Sequence, residues 1–149
     1  MKPDVPLVLN GIAATLATHV LPEVRTPFGQ QNVGIASQLC AMIAQEFDRA
    51  AARLVEENRA LISLFERAIP VLDDGPLREQ LQQAIATPPG SDLRISALQA
   101  ENDRLRALLI TLHAQVEEID TPEGSALNER IWDELRESTR RRKLTSGLA

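Results

Sequence analysis

The stretch ISALQAENDRLRALLITLHAQVEEI, residues 95–119, decides the fold. Its Ile95, Leu98, Asn102, Leu105, Leu109, Leu112, Val116 and Ile119 step by three and four without a break, which is the seam of a long helix. In heptad terms Ile95, Asn102, Leu109 and Val116 are a positions, and Leu98, Leu105, Leu112 and Ile119 are d positions. Glu101 at g and Arg106 at e would suit a parallel two-stranded coil. Against that, Leu108 at g, Ile110 at b and the alanines at 100, 107 and 114 widen the apolar surface beyond what two strands cover. The stretch therefore reads as the central post of a bundle formed within one chain.

Working outward, proline and cap residues divide the rest into helices. Asp4 and Pro6 predict a helix start, with Val8, Ile12, Leu16 and His19 or Val20 on one face and a stop or kink near Leu21, because Pro22 cannot continue the ladder. Thr26 and Pro27 predict the next start. Gly29 and Gly34 weaken its first turns, so the ordered body is expected from about residue 33 to residue 69, roughly 35 residues and 50 Å at 1.5 Å per residue. Pro70 ends it. The Asp73, Asp74, Gly75, Pro76 turn predicts a short helix over residues 76–86, with Leu77, Leu81 and Ile85 on its face. Ser91 or Asp92 is the expected cap of the heptad helix. Thr121 and Pro122 open a last helix carrying Leu127, Ile131, Trp132 and Leu135, which trails into a basic tail, about residues 140–149. No segment alternates like a strand.

Composition narrows the class. The chain has 149 residues, is 44% hydrophobic and only 3% aromatic, and has a net charge of −5. Its core must come from aliphatic side chains, and its charge argues against a protein that coats nucleic acid. One cysteine, Cys40, rules out an intrachain disulfide and reads as a small buried hydrophobe. The N-terminal apolar run is split by Asn10 and Gly11, and no run approaches the roughly 20 residues a bilayer crossing needs. A chain in the reducing cytoplasm, without membrane contact, is the expectation.

Chemistry-bearing residues are few. Glu57, Asn58 and Leu61 match Glu101, Asn102 and Leu105 in phase, which predicts a polar layer joining Asn58 and Asn102 and fixing helix register. His113 and Glu117 lie one turn apart, and His19 stands alone; two histidines without paired Glu-x-x-His repeats give no metal site. Glu46, between apolar neighbours, is a candidate buried acid whose simpler reading is a solvated helix face. Arg140, Arg141, Arg142 and Lys143 read as a solvated tail matching the helix dipole. Trp132 reads as a core or interface anchor with Arg136 over its ring. No phosphate loop, nucleophile elbow or ligand quartet is present, so no catalytic residue is assigned.

Residues 20–48, with Leu21-Pro22-Glu23, then Phe28, then a helix carrying Gln45-Glu46, resemble a small uncharacterised bacterial helical family. That family tends to accompany acyl-CoA dehydrogenase-like and aminoglycoside-phosphotransferase-like proteins. The resemblance implies an accessory role beside such an enzyme and supplies no catalytic residue.

The sequence thus predicts an all-α, antiparallel up-and-down bundle in a single domain, residues 1–149. Its two long central helices are expected to pack antiparallel, with the first and last helices completing the bundle and the short one bridging. The leading functional expectation is a non-catalytic interaction module, a homodimer assisting a cytoplasmic enzyme, with Trp132, Leu108 and Ile110 as interface residues and no cofactor. The alternative is a bundle binding an apolar, acyl or amine ligand near Phe47, Leu54 and Leu112, oriented by Asn58, Asn102 or His113. A third reading is an enzyme using Glu46 and His113 as acid and base.

Overall fold

The computed structural model describes residues 4–144, which are helical apart from short connections and contain no strand. Five α-helices follow in order: α1 (Val5–Thr15), α2 (Pro27–Ala68), α3 (Pro76–Ala86), α4 (Ile95–Val116) and α5 (Pro122–Arg142). The contacts fall into two compact units. One holds the described residues up to Ala50 with Lys143 and Leu144, and the other is Ala51–Arg142, so α2 contributes its first part to one and its second part to the other. Residues 145–149, the end of the expected basic tail, lie outside the described residues.

The capping residues explain most boundaries. The Leu7 amide donates to Asp4 Oδ1 at 3.2 Å and starts α1. Two other helices share one device, Thr-Pro-x-Gly. The Gly29 amide donates to Thr26 Oγ1 at 3.2 Å, and the Gly124 amide donates to Thr121 Oγ1 at 3.1 Å. In each, Thr is the cap, Pro the first helical residue and Gly the third. A Cβ at Gly29 would sit 2.5 Å from Val24 Cγ1, and one at Gly124 would sit 2.7 Å from the Ile119 carbonyl oxygen. Glycine is there because the incoming chain passes over it. The sequence reading treated Gly29 as a weak point that delays α2, whereas α2 runs 42 residues from Pro27. Because the obstacle at Gly124 is backbone, Gly124→Ala is expected to cost about 1–3 kcal/mol, measurable as a lowered urea midpoint.

One further boundary differs from expectation and another takes an unexpected form. Asp92 does not cap α4: its carboxylate accepts from the Arg94 amide at 3.0 Å and pairs with the Arg94 guanidinium, and the helix starts at Ile95. The stop or kink expected near Leu21 takes the form of a change of helix type. A π turn, Leu16–Val20, and a 3-10 turn, Leu21–Glu23, carry the first helical stretch onward and absorb the missing proline donor.

In the second unit, α4 is buried along its seam: Leu98, Asn102, Leu105, Leu109, Leu112 and Val116 all face inward. Of these, Leu105, Leu109, Leu112 and Val116 share one core with Leu61, Leu64, Phe65 and Ala68 of α2, Leu77 and Leu81 of α3, and Leu127 and Ile131 of α5. The post-like role of α4 holds, although for a narrower reason than the sequence offered. Leu108 packs against the core, but Ile110 is 72% exposed and the alanines at 100, 107 and 114 face solvent.

Helix directions follow from named contacts. Arg106 meets Ser138 and His113 meets Asn128, so α4 and α5 are antiparallel. Glu57 meets Arg142, while further along α2 Arg67 shares a groove with Arg130, so α2 and α5 are antiparallel as well. The α2 segment and α4 therefore run parallel, correcting the expected antiparallel pair. The up-and-down order itself stands: α3 is a full return helix between them, and one reversal per connection makes alternate helices co-directional.

Candidate functional site

Two features outside ordinary core packing stand out, one in each unit. The first is the predicted polar layer. Asn102 Nδ2 donates to Asn58 Oδ1 at 2.8 Å, and Asn58 Nδ2 donates to the Leu98 carbonyl at 3.2 Å. The layer is larger than the sequence suggested. Asn102 Nδ2 also reaches Glu57 Oε2 at 3.4 Å, and Asn102 Oδ1 accepts from Arg106 Nε at 3.0 Å and Arg142 Nη2 at 3.3 Å. A side-chain amide offers two donors and two acceptor sites, so Asn102, fully buried, has every one filled.

Glu57 is the anionic centre. It is 1% exposed and accepts from Arg142 Nη2 at 2.6 Å, Arg142 Nε at 3.0 Å and Arg53 Nη1 at 3.3 Å, with Arg106 Nη2 at 3.5 Å. Burial alone would push its carboxyl up, but Arg142, Arg53 and Arg106 overcome that and hold it at about 2. Arg106 also donates to the buried Ser138 hydroxyl, so α2, α4 and α5 are tied at one level.

The expected basic tail is thereby corrected in part. Arg142 belongs to this cluster, Arg141 pairs with Glu56 and Glu134, and Arg140 pairs with Glu137. These guanidiniums find carboxylates because α5 lies along an acidic face of α2 and carries its own acids one turn back.

This cluster is structural chemistry. The polar atoms of Glu57 and Asn102 at its centre are spent on their neighbours, which gives register rather than a vacant site. Asn102→Leu is expected to destabilise the chain by about 2–4 kcal/mol, because Arg106 and Arg142 lose an acceptor and Asn58 a donor. Association state should not change, and sedimentation of the variant beside its urea melt checks both.

The other site residues fall elsewhere. His113 Nε2 lies 3.0 Å from Asn128 Oδ1 and 3.5 Å from Glu117, and its ring meets Trp132 edge-on at 5.2 Å. Trp132, half exposed, takes His113 as its ring neighbour, and Arg136 reaches Asp133 instead of the indole. Glu46 is half-buried in the first unit, as is Cys40. Among the described residues, no three His, Cys, Asp or Glu side chains gather as a metal site would require.

The expected ligand pocket is displaced. Leu54 and Leu112 are wholly enclosed and Phe47 is half exposed. A groove of about 590 Å³ lies instead between α2, the 87–93 connection and α4, lined by Val55, Asn58, Ile62, Pro88, Leu98 and Leu105 among others. Of the three expected orienting residues only Asn58 borders it.

The second feature is the surface of the first unit. Among the described residues its buried hydrophobics are only alanines, Ala13, Ala44 and Ala50, and the Ser37 hydroxyl donates to the Ala13 carbonyl at 2.8 Å to join α1 to α2. Larger apolar side chains point outward: Leu7 at 71%, Val8 and Ile12 on α1, Phe28 at 75%, and Ile35, Leu39, Ile43 and Phe47 on α2. At about 100° per residue the last four form one ridge, turned away from Ser37. Residues 5–45 carry only two charged side chains, Glu23 and Arg25, both between the helices.

The scarcity of charge is legible in the sequence, but the apolar face expected to seat α1 in the bundle is exposed, because periodicity does not say what covers a face. The expectation that no run here nears bilayer length also needs correcting. The helical stretch Val5–Glu23, 19 residues with mean hydropathy 1.4 and 6% buried, is long and apolar enough by length and composition to cross a membrane. Comparisons with protein-family models, with curated proteins and with solved structures each give no match, so the geometry carries the functional reading.

Proposed function

We propose that this chain is a non-catalytic protein-interaction module, in which the Ala51–Arg142 unit is a rigid bundle and the α1–α2 hairpin is the docking surface. The observation that carries the reading is the outward apolar ridge of Ile35, Leu39, Ile43 and Phe47 in a segment almost without charge. Interface cores are depleted in charge, and an apolar face of this size on a monomer marks a binding surface. A protein occupant suits it better than hydrocarbon. Asn10 interrupts α1, and Gln31, Asn32 and Gln38 lie along or beside the ridge, where a bilayer gives an amide nothing to bond. The accessory role beside a cytoplasmic enzyme, implied by the resemblance of residues 20–48, is part of this proposal.

Native mass spectrometry of material purified from its own host tests it. The wild type is expected in an assembly and Leu39→Lys/Ile43→Lys as the bare 16.4 kDa chain. A bare wild-type chain at micromolar concentration would sink the reading. A second reading rests on the groove beside Asn58, whose aliphatic floor suits a small apolar ligand. Masses above that of the chain that survive mild activation and disappear in Leu98→Trp would support it.

A further inference from the structure

We infer that the occupant of the hairpin surface is a second copy of this chain, docked hairpin to hairpin about a two-fold axis; the inference rests on the interaction reading above. Three observations on the first unit point the same way.

The first is area. The outward parts of its nine exposed large hydrophobics amount to on the order of 800 Å², about what each partner contributes to a standard stable interface.

The second is chemical self-complementarity. In a two-fold contact a face meets its own copy, so a charged face would repel itself, while a face bearing amides does not. An amide both donates and accepts, so a Gln or Asn stripe can pair with the same stripe reversed. The ridge has this composition: Asn32 lies among Phe28, Ile35 and Leu39, and Gln31 and Gln38, seven residues apart, flank it. A partner selected from other proteins by electrostatics would leave charge along this face, and charge enters it only at its far end, with Glu46, Asp48 and Arg49 beside Phe47.

The third is Gly11. A glycine inside a helix is unfavourable, and the two cap glycines have their reason in the chain passing over them. Gly11 has none: a Cβ there would meet nothing within 4 Å. It lies one turn from Leu7 and beside Ile12 on the outward face of α1, where a bare backbone lets another helix approach closely.

Sedimentation equilibrium of the chain expressed and purified alone tests the inference. Wild type is expected to be dimeric at low micromolar concentration. Leu39→Lys/Ile43→Lys should weaken the dimer at least 100-fold, with circular dichroism showing helix content retained. Gly11→Ala, which favours the isolated helix and so does not unfold it, should weaken the dimer at least tenfold. A dimer indifferent to these substitutions overturns the inference, because another face would be responsible. So does a purified chain that stays monomeric to several hundred micromolar. If that monomeric chain is found bound to a different protein in host-purified material, the interaction reading stands and self-docking falls. If it floats with phosphatidylcholine vesicles and is otherwise bare, both fall.

Discussion

Glu57→Ala is expected to lower stability by about 3–5 kcal/mol, the largest effect of any polar substitution in the chain. The carboxylate is 1% exposed and is shared by Arg53, Arg106 and Arg142. Removing it leaves three guanidiniums facing one another, and Asn102 loses an acceptor for one of its two donor hydrogens. The urea midpoint should fall at unchanged slope, since the same surface is exposed on unfolding. A change below 1 kcal/mol would show that the cluster contributes little beyond register.

The same group sets a pH dependence. Its folded pKa, about 2, is depressed from 4.5, so the folded state holds the proton less tightly than the unfolded chain does. Its contribution is fully present above the unfolded value, and it drains away as pH falls from about 4.5 toward 2. At about 1.4 kcal/mol per unit this is on the order of 3 kcal/mol, less whatever solvent screens at the half-exposed Arg142. Glu57→Gln should remove that portion of the acid slope and leave stability at pH 7 already lowered. An unchanged slope would assign the acid sensitivity to other carboxylates.

The second large effect is expected at Phe65. It is fully enclosed and belongs to the cluster with Leu61, Leu105, Leu109 and Ile131. Phe65→Ala removes a ring that neighbouring aliphatics, held by three helices, cannot collapse to fill. The loss should be about 3–5 kcal/mol. Phe47→Ala makes the contrast: its ring is 49% exposed in the single chain, so it should cost the isolated chain under about 1 kcal/mol. Thermal melts of the two variants at low protein concentration separate the cases, and equal losses would mean that the first unit has a core of its own.

That contrast also shows what was legible in the sequence. The helix content, α3 and the seam of α4 follow from spacing, because 3.6-residue periodicity and Pro or Thr punctuation act locally. The Asn58 to Asn102 pairing was legible too, since each interrupts an apolar seam at the same phase and a buried amide needs a partner. Arg142 was not. Nothing local distinguishes a cation at a helix end from one that completes a carboxylate 85 positions away. Direction was missed for a similar reason: whether α2 and α4 run parallel depends on α3 being a full return helix, a tertiary fact. The exposure of Ile35, Leu39 and Ile43 is not legible either, because their spacing is the same whether a neighbour covers them or not.

Asn102 has a consequence for descent. With both donors and both acceptor sites filled, it cannot change alone without stranding Glu57, Asn58, Arg106 or Arg142. The five positions should be inherited together or lost together. A distant relative in which an aliphatic residue replaces Asn102 is expected to lack the Glu57 and Arg142 pair as well, while its Thr-Pro-x-Gly helix starts drift independently. Co-inheritance of those five letters, scattered over 86 positions, would then be a better marker of common ancestry than overall identity in a chain built of interchangeable aliphatic residues.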